Sequence, residues 1–215
     1  MADSAPHKAL RLVGMGLVIL FPVMLALWFA QLRAKAETID QLHSFSQLAL
    51  QKTEMVIREA DQARFKASQY RGELCSAEHQ RYLLHIVRGL LYVEDLIYAN
   101  GQRFICSTSA HPETGWRMPA ANYTKKPDVA IYYYRDTPFY PGFAMNYMQK
   151  GPYVVVVNPY SFSSVIASDR DLAYGVFDTK TNLFFSLSNN VEPAELQALI
   201  REGDAFFNQN GRVYT

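Results

Sequence analysis

The sequence predicts an α+β protein: an N-terminal transmembrane helix and a long juxtamembrane helix, followed by a mixed or antiparallel sheet domain carrying short helices. Three observations predict it. No Asp, Glu, Lys or Arg occurs between Arg11 and Arg33, and no Gly or Pro occurs from Val23 to Arg71. Beyond Gly89 the apolar residues change from a helical to an extended period.

The charge gap is filled by LVGMGLVILFPVMLALWFAQL, residues 12–32, in which Gln31 is the one polar side chain. As a helix rising about 1.5 Å per residue it spans roughly 31 Å, the thickness of a bilayer's hydrocarbon core. A membrane anchor is therefore expected, with 1–11 as a cytoplasmic segment, 12–32 as the span and 33–215 as a domain on the far side. Ala34-Lys35-Ala36 has the small-x-small form of a signal-peptide cleavage site. The apolar stretch is nevertheless longer than a signal peptide's apolar core, and Arg33 and Lys35 lie where cleavage would fall, which favours an uncleaved anchor. Pro22 is tolerable within a span, and Trp28 stands toward its outer end. Lys8 and Arg11 favour a cytoplasmic N-terminus, although Arg33 and Lys35 nearly balance them.

Past the span the spacing Ile39, Leu42, Ser46, Ala49, Thr53, Val56, Ala60, Ala63, Ala67, Tyr70, Leu74 alternates three and four, a heptad stripe. Such a stripe either packs on its own domain or pairs with a second copy. Its small residues favour the first and leave a homodimer through the juxtamembrane helix as the alternative. Gly72 is expected to cap this helix. Ser76 then caps a second helix, Ala77 to about Arg88, closed by Gly89.

Strands are expected over Leu90–Ala99 and Gln102–Ser107, joined at Asn100-Gly101 by a type I′ turn. Ser109–Asp128, with its prolines, reads as a loop. Val129–Arg135 and Tyr153–Asn158 read as further strands, the second apolar enough to occupy the middle of the sheet. Pro138, Pro141 and Gly142 mark turns between them. A short helix over Pro159–Ala167, a hairpin over Leu172–Asp178 and Asn182–Ser188, a helix over Glu192–Arg201 and a last strand from Gly211 complete the expectation.

Chemistry-bearing patterns are sparse. With 21 Lys and Arg against 20 Asp and Glu, the net charge of +1 argues against a nucleic-acid partner. The five histidines show no His-x3-His spacing and the cysteines no Cys-x2-Cys spacing, so no metal site is expected. His79 and His85 are expected at the surface, as are Glu94-Asp95, Asp169 and Asp171. Gly14-Met15-Gly16 lies inside the apolar span and is no phosphate loop. No catalytic residue and no cofactor are expected, and Tyr132-Tyr133-Tyr134 splits between the two faces of a strand as core.

The cysteines remain, Cys75 at a helix boundary and Cys106 in a hairpin strand. In an exported domain an even cysteine count is a disulfide candidate. Closing a loop of about 30 residues would contribute roughly 3.5 kcal/mol on the chain-entropy model. Free buried thiols stay open as the alternative, and the residues alone rank neither redox sensing nor stapling above the other.

These residues resemble a known family. An N-terminal membrane helix, a long helix leading to Leu74-Cys75-Ser76, and then Phe104-Ile105-Cys106-Ser107-Thr108-Ser109 are similar to the CSS-motif sensor domain. That domain is the periplasmic input region of bacterial membrane-bound EAL-type cyclic di-GMP phosphodiesterases. The resemblance implies a disulfide between Cys75 and Cys106, with Ser76, Ser107 and Thr108 as motif residues. It implies reduction favouring an active phosphodiesterase and oxidation restraining it. Thr108 replaces the family's second serine, keeping a hydroxyl and adding a methyl. The implied setting is a single-pass inner-membrane protein, oxidised by a periplasmic thiol-oxidising system. No EAL domain occurs within these residues, since Ala194-Glu195-Leu196 is not that motif. The chain is expected either as the N-terminal part of a full phosphodiesterase or as a free-standing sensor. A small-ligand sensor with a merely structural disulfide is the other reading.

Overall fold

The structure is a computed structural model that describes residues 5–109, 116–125, 129–164, 174–179, 181, 183–187, 207–209 and 212–214. The chain divides into two compact units, Met1–Ser44 with Phe206–Thr215, and Phe45–Ala205. The first unit holds the start of helix α1 (Ala5–Ser68) and a hairpin of β9 (Phe207–Gln209) and β10 (Arg212–Tyr214). The hairpin contains the strand expected from Gly211. In α1 the side chains of Leu20, Phe21, Met24, Leu27, Trp28, Phe29 and Leu32 are exposed. Among the described residues no helix is long and apolar enough to cross a membrane. The expected span 12–32 falls partly outside them, because the side chains of residues 12–19 are not described.

In the second unit α1 buries Thr53, Val56, Ala60, Ala63 and Ala67, the middle of the heptad stripe. Small residues there let the helix backbone approach the sheet closely, so this part of the stripe packs on its own domain. Glu59 accepts the backbone N–H groups of Leu91 and Tyr92 at 2.9 Å each, fastening the helix to the start of β1. The helix stops at Ser68, earlier than expected, and Gly72 is not its cap. Instead Tyr70 folds back over Gly72, where a Cβ would lie 2.5 Å from the phenolic oxygen. Helix α2 (Ala77–Arg88) begins and ends as the sequence predicts, with Ser76 as N-cap and Gly89 as C-cap.

Six strands form one antiparallel sheet in the order β2-β1-β6-β5-β4-β3. They are β1 (Val93–Asn100), β2 (Arg103–Ser107), β3 (Tyr123–Lys125), β4 (Val129–Thr137), β5 (Tyr140–Lys150) and β6 (Tyr153–Val157). The turn between β1 and β2 is displaced by one residue from the expected Asn100-Gly101. Asn100 pairs with Arg103, leaving Gly101-Gln102 as the loop with positive φ at Gly101, the pattern of a II′ rather than a I′ turn. Gly151-Pro152 closes β5 to β6 in the same manner.

Strand β5 went unread because Pro141 and Gly142 interrupt its first residues. The β4–β5 pairing is bulged there, with Tyr134 in the left-handed region at φ 48°. Buried Asn146 holds this irregularity: its Oδ1 accepts the Tyr134 N–H at 3.0 Å and its Nδ2 donates to Phe185 O at 2.9 Å. Phe185 belongs to β8 (Leu183–Leu187), which pairs with β7 (Gly175–Asp178) in the hairpin predicted by the sequence. Strand β3 lies within the stretch expected as loop. The helix expected over Pro159–Ala167 is α3 (Tyr160–Ser163), residues 165–167 lying outside the described residues, as does the expected helix Glu192–Arg201.

Strand β6 is buried along its whole length because both faces of the sheet are covered. Tyr153, Val155 and Val157 pack toward α1 and α2 with Leu83, Ile86, Leu96 and Phe162. Val154 and Val156 pack on the opposite face with Ile97, Phe104, Tyr132, Tyr147 and Met118. Tyr132 and Tyr133 do split between the two clusters.

Several core tyrosines resist ionisation. Burial pushes Tyr147 up to about 12, partly offset by its 2.5 Å hydrogen bond with Thr137, and burial also raises Tyr133 and Tyr140. A tyrosine neutral in the fold and free to ionise near pH 10 when unfolded stabilises fully below that pH and ceases to do so as pH rises through its folded value. Alkaline titration is therefore expected to unfold the domain between about pH 10 and pH 12, with tyrosinate absorbance rising in step with loss of far-ultraviolet circular dichroism. Complete ionisation at the ordinary tyrosine pH with the dichroism unchanged would contradict it.

Candidate functional site

Cys75 and Cys106 are joined in a disulfide with their Cα atoms 5.7 Å apart and a sequence separation of 31. Cys75 lies in the connection from α1 to α2 and takes a left-handed conformation, φ 61°, which costs a non-glycine residue about 1–2 kcal/mol. Cys106 is on the edge strand β2 opposite Tyr98 of β1. Paired residues share a face, so Cys106 points to the side of the sheet that carries the helices. Its neighbour Ser107, opposite Ile97, points to the other side. The disulfide thus ties the corner after α1 to the edge of the sheet.

Ser76 acts through the backbone. Its hydroxyl oxygen accepts the His79 N–H at 3.1 Å as the cap of α2 and donates to Glu73 O at 2.8 Å. This cap brings His79 beneath Cys75. The expectation of a surface histidine is overturned here, because His79 is fully buried. Its Nδ1 accepts the Cys75 backbone N–H at 2.9 Å, and its Nε2 lies 3.3 Å from the Tyr153 hydroxyl. The first bond requires an unprotonated Nδ1, so the ring is neutral with its proton on Nε2. Burial agrees, lowering the His79 pKa. The rings of Tyr70, Tyr98 and Tyr153 surround it at 4.6, 5.9 and 6.2 Å between centroids.

On the opposite face of the sheet, Asp95 of β1 corrects a second expectation. Glu94 is exposed as predicted, but Asp95 is fully buried after a register shift in the β1–β6 pairing. It accepts hydrogen bonds from Ser107 Oγ at 2.6 Å, Thr108 N at 2.9 Å and Ser109 N at 3.3 Å, and from Thr108 Oγ1. Both motif hydroxyls after Cys106 therefore serve one carboxylate, and Thr108 keeps the hydrogen-bonding part of the role its residue type allows. Ser109 continues the network to the Tyr140 hydroxyl at 3.0 Å.

All five sequence-predicted site residues meet at one end of the sheet, with the cysteines on the helix side and Ser107 on the other. His79 and Asp95 are the residues the sequence reading missed. The sequence does carry a signal for the first: Cys75 and His79 are four apart, a mixed pair that neither the His-x3-His nor the Cys-x2-Cys pattern contains. One ring nitrogen of His79 and the two sulfurs all lie within 4.8 Å of one another. For Asp95 the signal is the strand alternation, since it stands two residues before buried Ile97 and opposite buried Val156. In chemical terms the site can break and form a disulfide beside a neutral imidazole. Among the described residues no other group of three or more His, Cys, Asp or Glu is close enough to hold a metal ion.

An antiparallel sheet whose edge is tied by a disulfide to the connection between two packed helices describes a disulfide-braced α+β domain. The chain belongs to the CSS-motif family, described as a CSS motif domain associated with EAL, which matches residues 38–215. It is similar to the probable cyclic di-GMP phosphodiesterase PdeB of Escherichia coli (strain K12), 20% identical over 199 residues that cover 92% of this chain and 39% of that protein. The chain thus spans about two fifths of the length of this curated relative. No solved structure matches it.

Asp95→Ala would strand several buried donors at once, each costing about 1–3 kcal/mol. Denaturant unfolding with the disulfide intact is expected to show a loss of about 3 kcal/mol or more, and a loss under about 1 kcal/mol would speak against the network. Cys75→Gly and Cys75→Ala both remove the disulfide, but only glycine relieves the left-handed backbone. The glycine variant is expected to be the more stable by about 1 kcal/mol in the same assay, and the reverse order would show that the position relaxes once the bond is gone.

Proposed function

We propose that the protein is a membrane-anchored, extracytoplasmic redox-sensing input module whose Cys75–Cys106 disulfide governs cyclic di-GMP phosphodiesterase signalling. The observation that carries this reading is the position of the bond, between the strained corner after α1 and the sheet edge. In the oxidised form that corner is clamped. Reduction by a dithiol breaks the Cys75–Cys106 bond, forms the reductant's own disulfide and leaves a thiol on each cysteine. Cys75 is then free to leave the left-handed region, and α1 carries the change toward residues 12–32.

The uncharged stretch 12–32 and the exposed apolar side chains from Leu20 to Leu32 support an anchor in the inner membrane. A disulfide supports an oxidising compartment for the domain, served there by a thiol-oxidising system. The family's association with EAL domains and the likeness to a probable phosphodiesterase support the output. Family resemblance supplies the sign, with oxidation restraining hydrolysis and reduction releasing it.

The test is made in cells expressing the natural full-length protein, with cyclic di-GMP read by a reporter. A thiol reductant confined outside the inner membrane is expected to lower cyclic di-GMP in the wild type. Cys75→Ala/Cys106→Ala is expected to hold it low with or without reductant. Equal responses of wild type and double variant would overturn the redox reading. Rapid alkylation of both cysteines in unreduced cells would do the same.

A further inference from the structure

We propose that the reduced form of this site is a zinc site, in which Cys75, Cys106 and His79 bind a single Zn2+ that the disulfide excludes. The two sulfurs and one His79 ring nitrogen already lie within 4.8 Å of one another, and two thiolates with an imidazole are a zinc-binding donor set. With metal–sulfur bonds of about 2.3 Å a tetrahedral ion holds its two sulfurs about 3.8 Å apart. The Cα separation of 5.7 Å accommodates that spacing by side-chain rotation with little backbone movement.

The imidazole is prepared for the role. Its unprotonated Nδ1 faces the Cys75 backbone N–H, so the lone pair is on the cysteine side of the ring, and one hydrogen bond is exchanged for the metal. Its Nε2–H is held by the Tyr153 hydroxyl, the kind of outer partner that orients a ligating histidine. The Ser76 cap holds the His79 backbone N–H, and the rings of Tyr70 and Tyr98 pack against the imidazole.

Charge selects the ion. Cys106 and His79 are buried and Cys75 half-buried, so two thiolates left alone there would be a costly pair of negative charges. Zn2+ with two thiolates and a neutral imidazole sums to zero, whereas Cu+ would leave a net negative charge. The half-buried Cys75 side leaves the fourth position to water. In sequence, two electrons and two protons from a dithiol convert the disulfide into two thiols, the dithiol becoming a disulfide. Zn2+ then displaces both thiol protons to solvent.

The site uses the same cysteines as the proposed redox input but does not depend on cyclic di-GMP output. Metal binding by a reduced protein whose reporter is silent would refute that reading and leave this one standing.

The experiment uses the full chain in detergent, reduced by a phosphine, with Zn2+ measured by competition against a chromophoric chelator and Co2+ as spectroscopic probe. One equivalent is expected to bind the reduced protein, with thiolate-to-cobalt charge-transfer bands and the d–d bands of a tetrahedral ion. The disulfide form is expected to bind none. Cys75→Ser and Cys106→Ser should each abolish the charge-transfer pattern of a two-thiolate site, and His79→Gln should weaken Zn2+ by at least about tenfold while re-forming the disulfide on oxidation. Reduced wild type that keeps its circular dichroism yet binds no tighter than the disulfide form would overturn the proposal. Undiminished affinity in His79→Gln, or Cu+ binding where Zn2+ fails, would overturn the assignment of ligand and ion.

Discussion

Strand β6 is apolar on both faces, and a strand of that kind is stable only when each face has a cover. Tyr153, Val155 and Val157 require one layer, Val154 and Val156 another. The first cover is α1 with α2, and the second is built from Trp116, Met118 and Phe139 with the tyrosines of β4 and β5. Once α1 lies on the sheet through Val56, Ala60, Ala63 and Ala67, its end must come down near the edge of β1 and β2. Cys75 is thereby delivered to Cys106, and the disulfide closes an approach that burial had already arranged.

The end of the sheet carrying the bond is reinforced on each side by a buried hydrogen-bond acceptor. On the helix side a neutral histidine accepts from the Cys75 backbone, and on the other a buried carboxylate gathers the donors of Ser107, Thr108 and Ser109. Each is fully buried and each is fully engaged, which is the condition under which such groups stabilise rather than weaken a core. The end of β2 is thereby held by hydrogen bonds to Asp95 as well as by the disulfide.

Much of this was legible residue by residue. The change of period after Gly89, the Ser76 and Gly89 caps and the second hairpin were read correctly because each is a local signal resolved within a few residues. The errors also have local causes. Pro141 and Gly142 hid β5, since a breaker at the start of a strand resembles a turn, and Asn100-Gly101 suggested a register one residue away from the one that packs. Helix α1 stops at Ser68, short of Gly72, and Tyr70 packs over that glycine instead.

The sequence by itself determined that one cysteine would stand just before the cap of the second helix and the other in a hairpin strand, and that their neighbours Ser76, Ser107 and Thr108 carry hydroxyls. Propensity, capping and period act between residues close in the chain, so they can be read there. Only the tertiary structure decided that His79 and Asp95, both expected at the surface, are buried on either side of the disulfided strand, and that Cys75 is held in a left-handed backbone. Desolvation and hydrogen-bond satisfaction depend on what distant segments bring to the same place, so a local spacing can single out such a residue but cannot bury it.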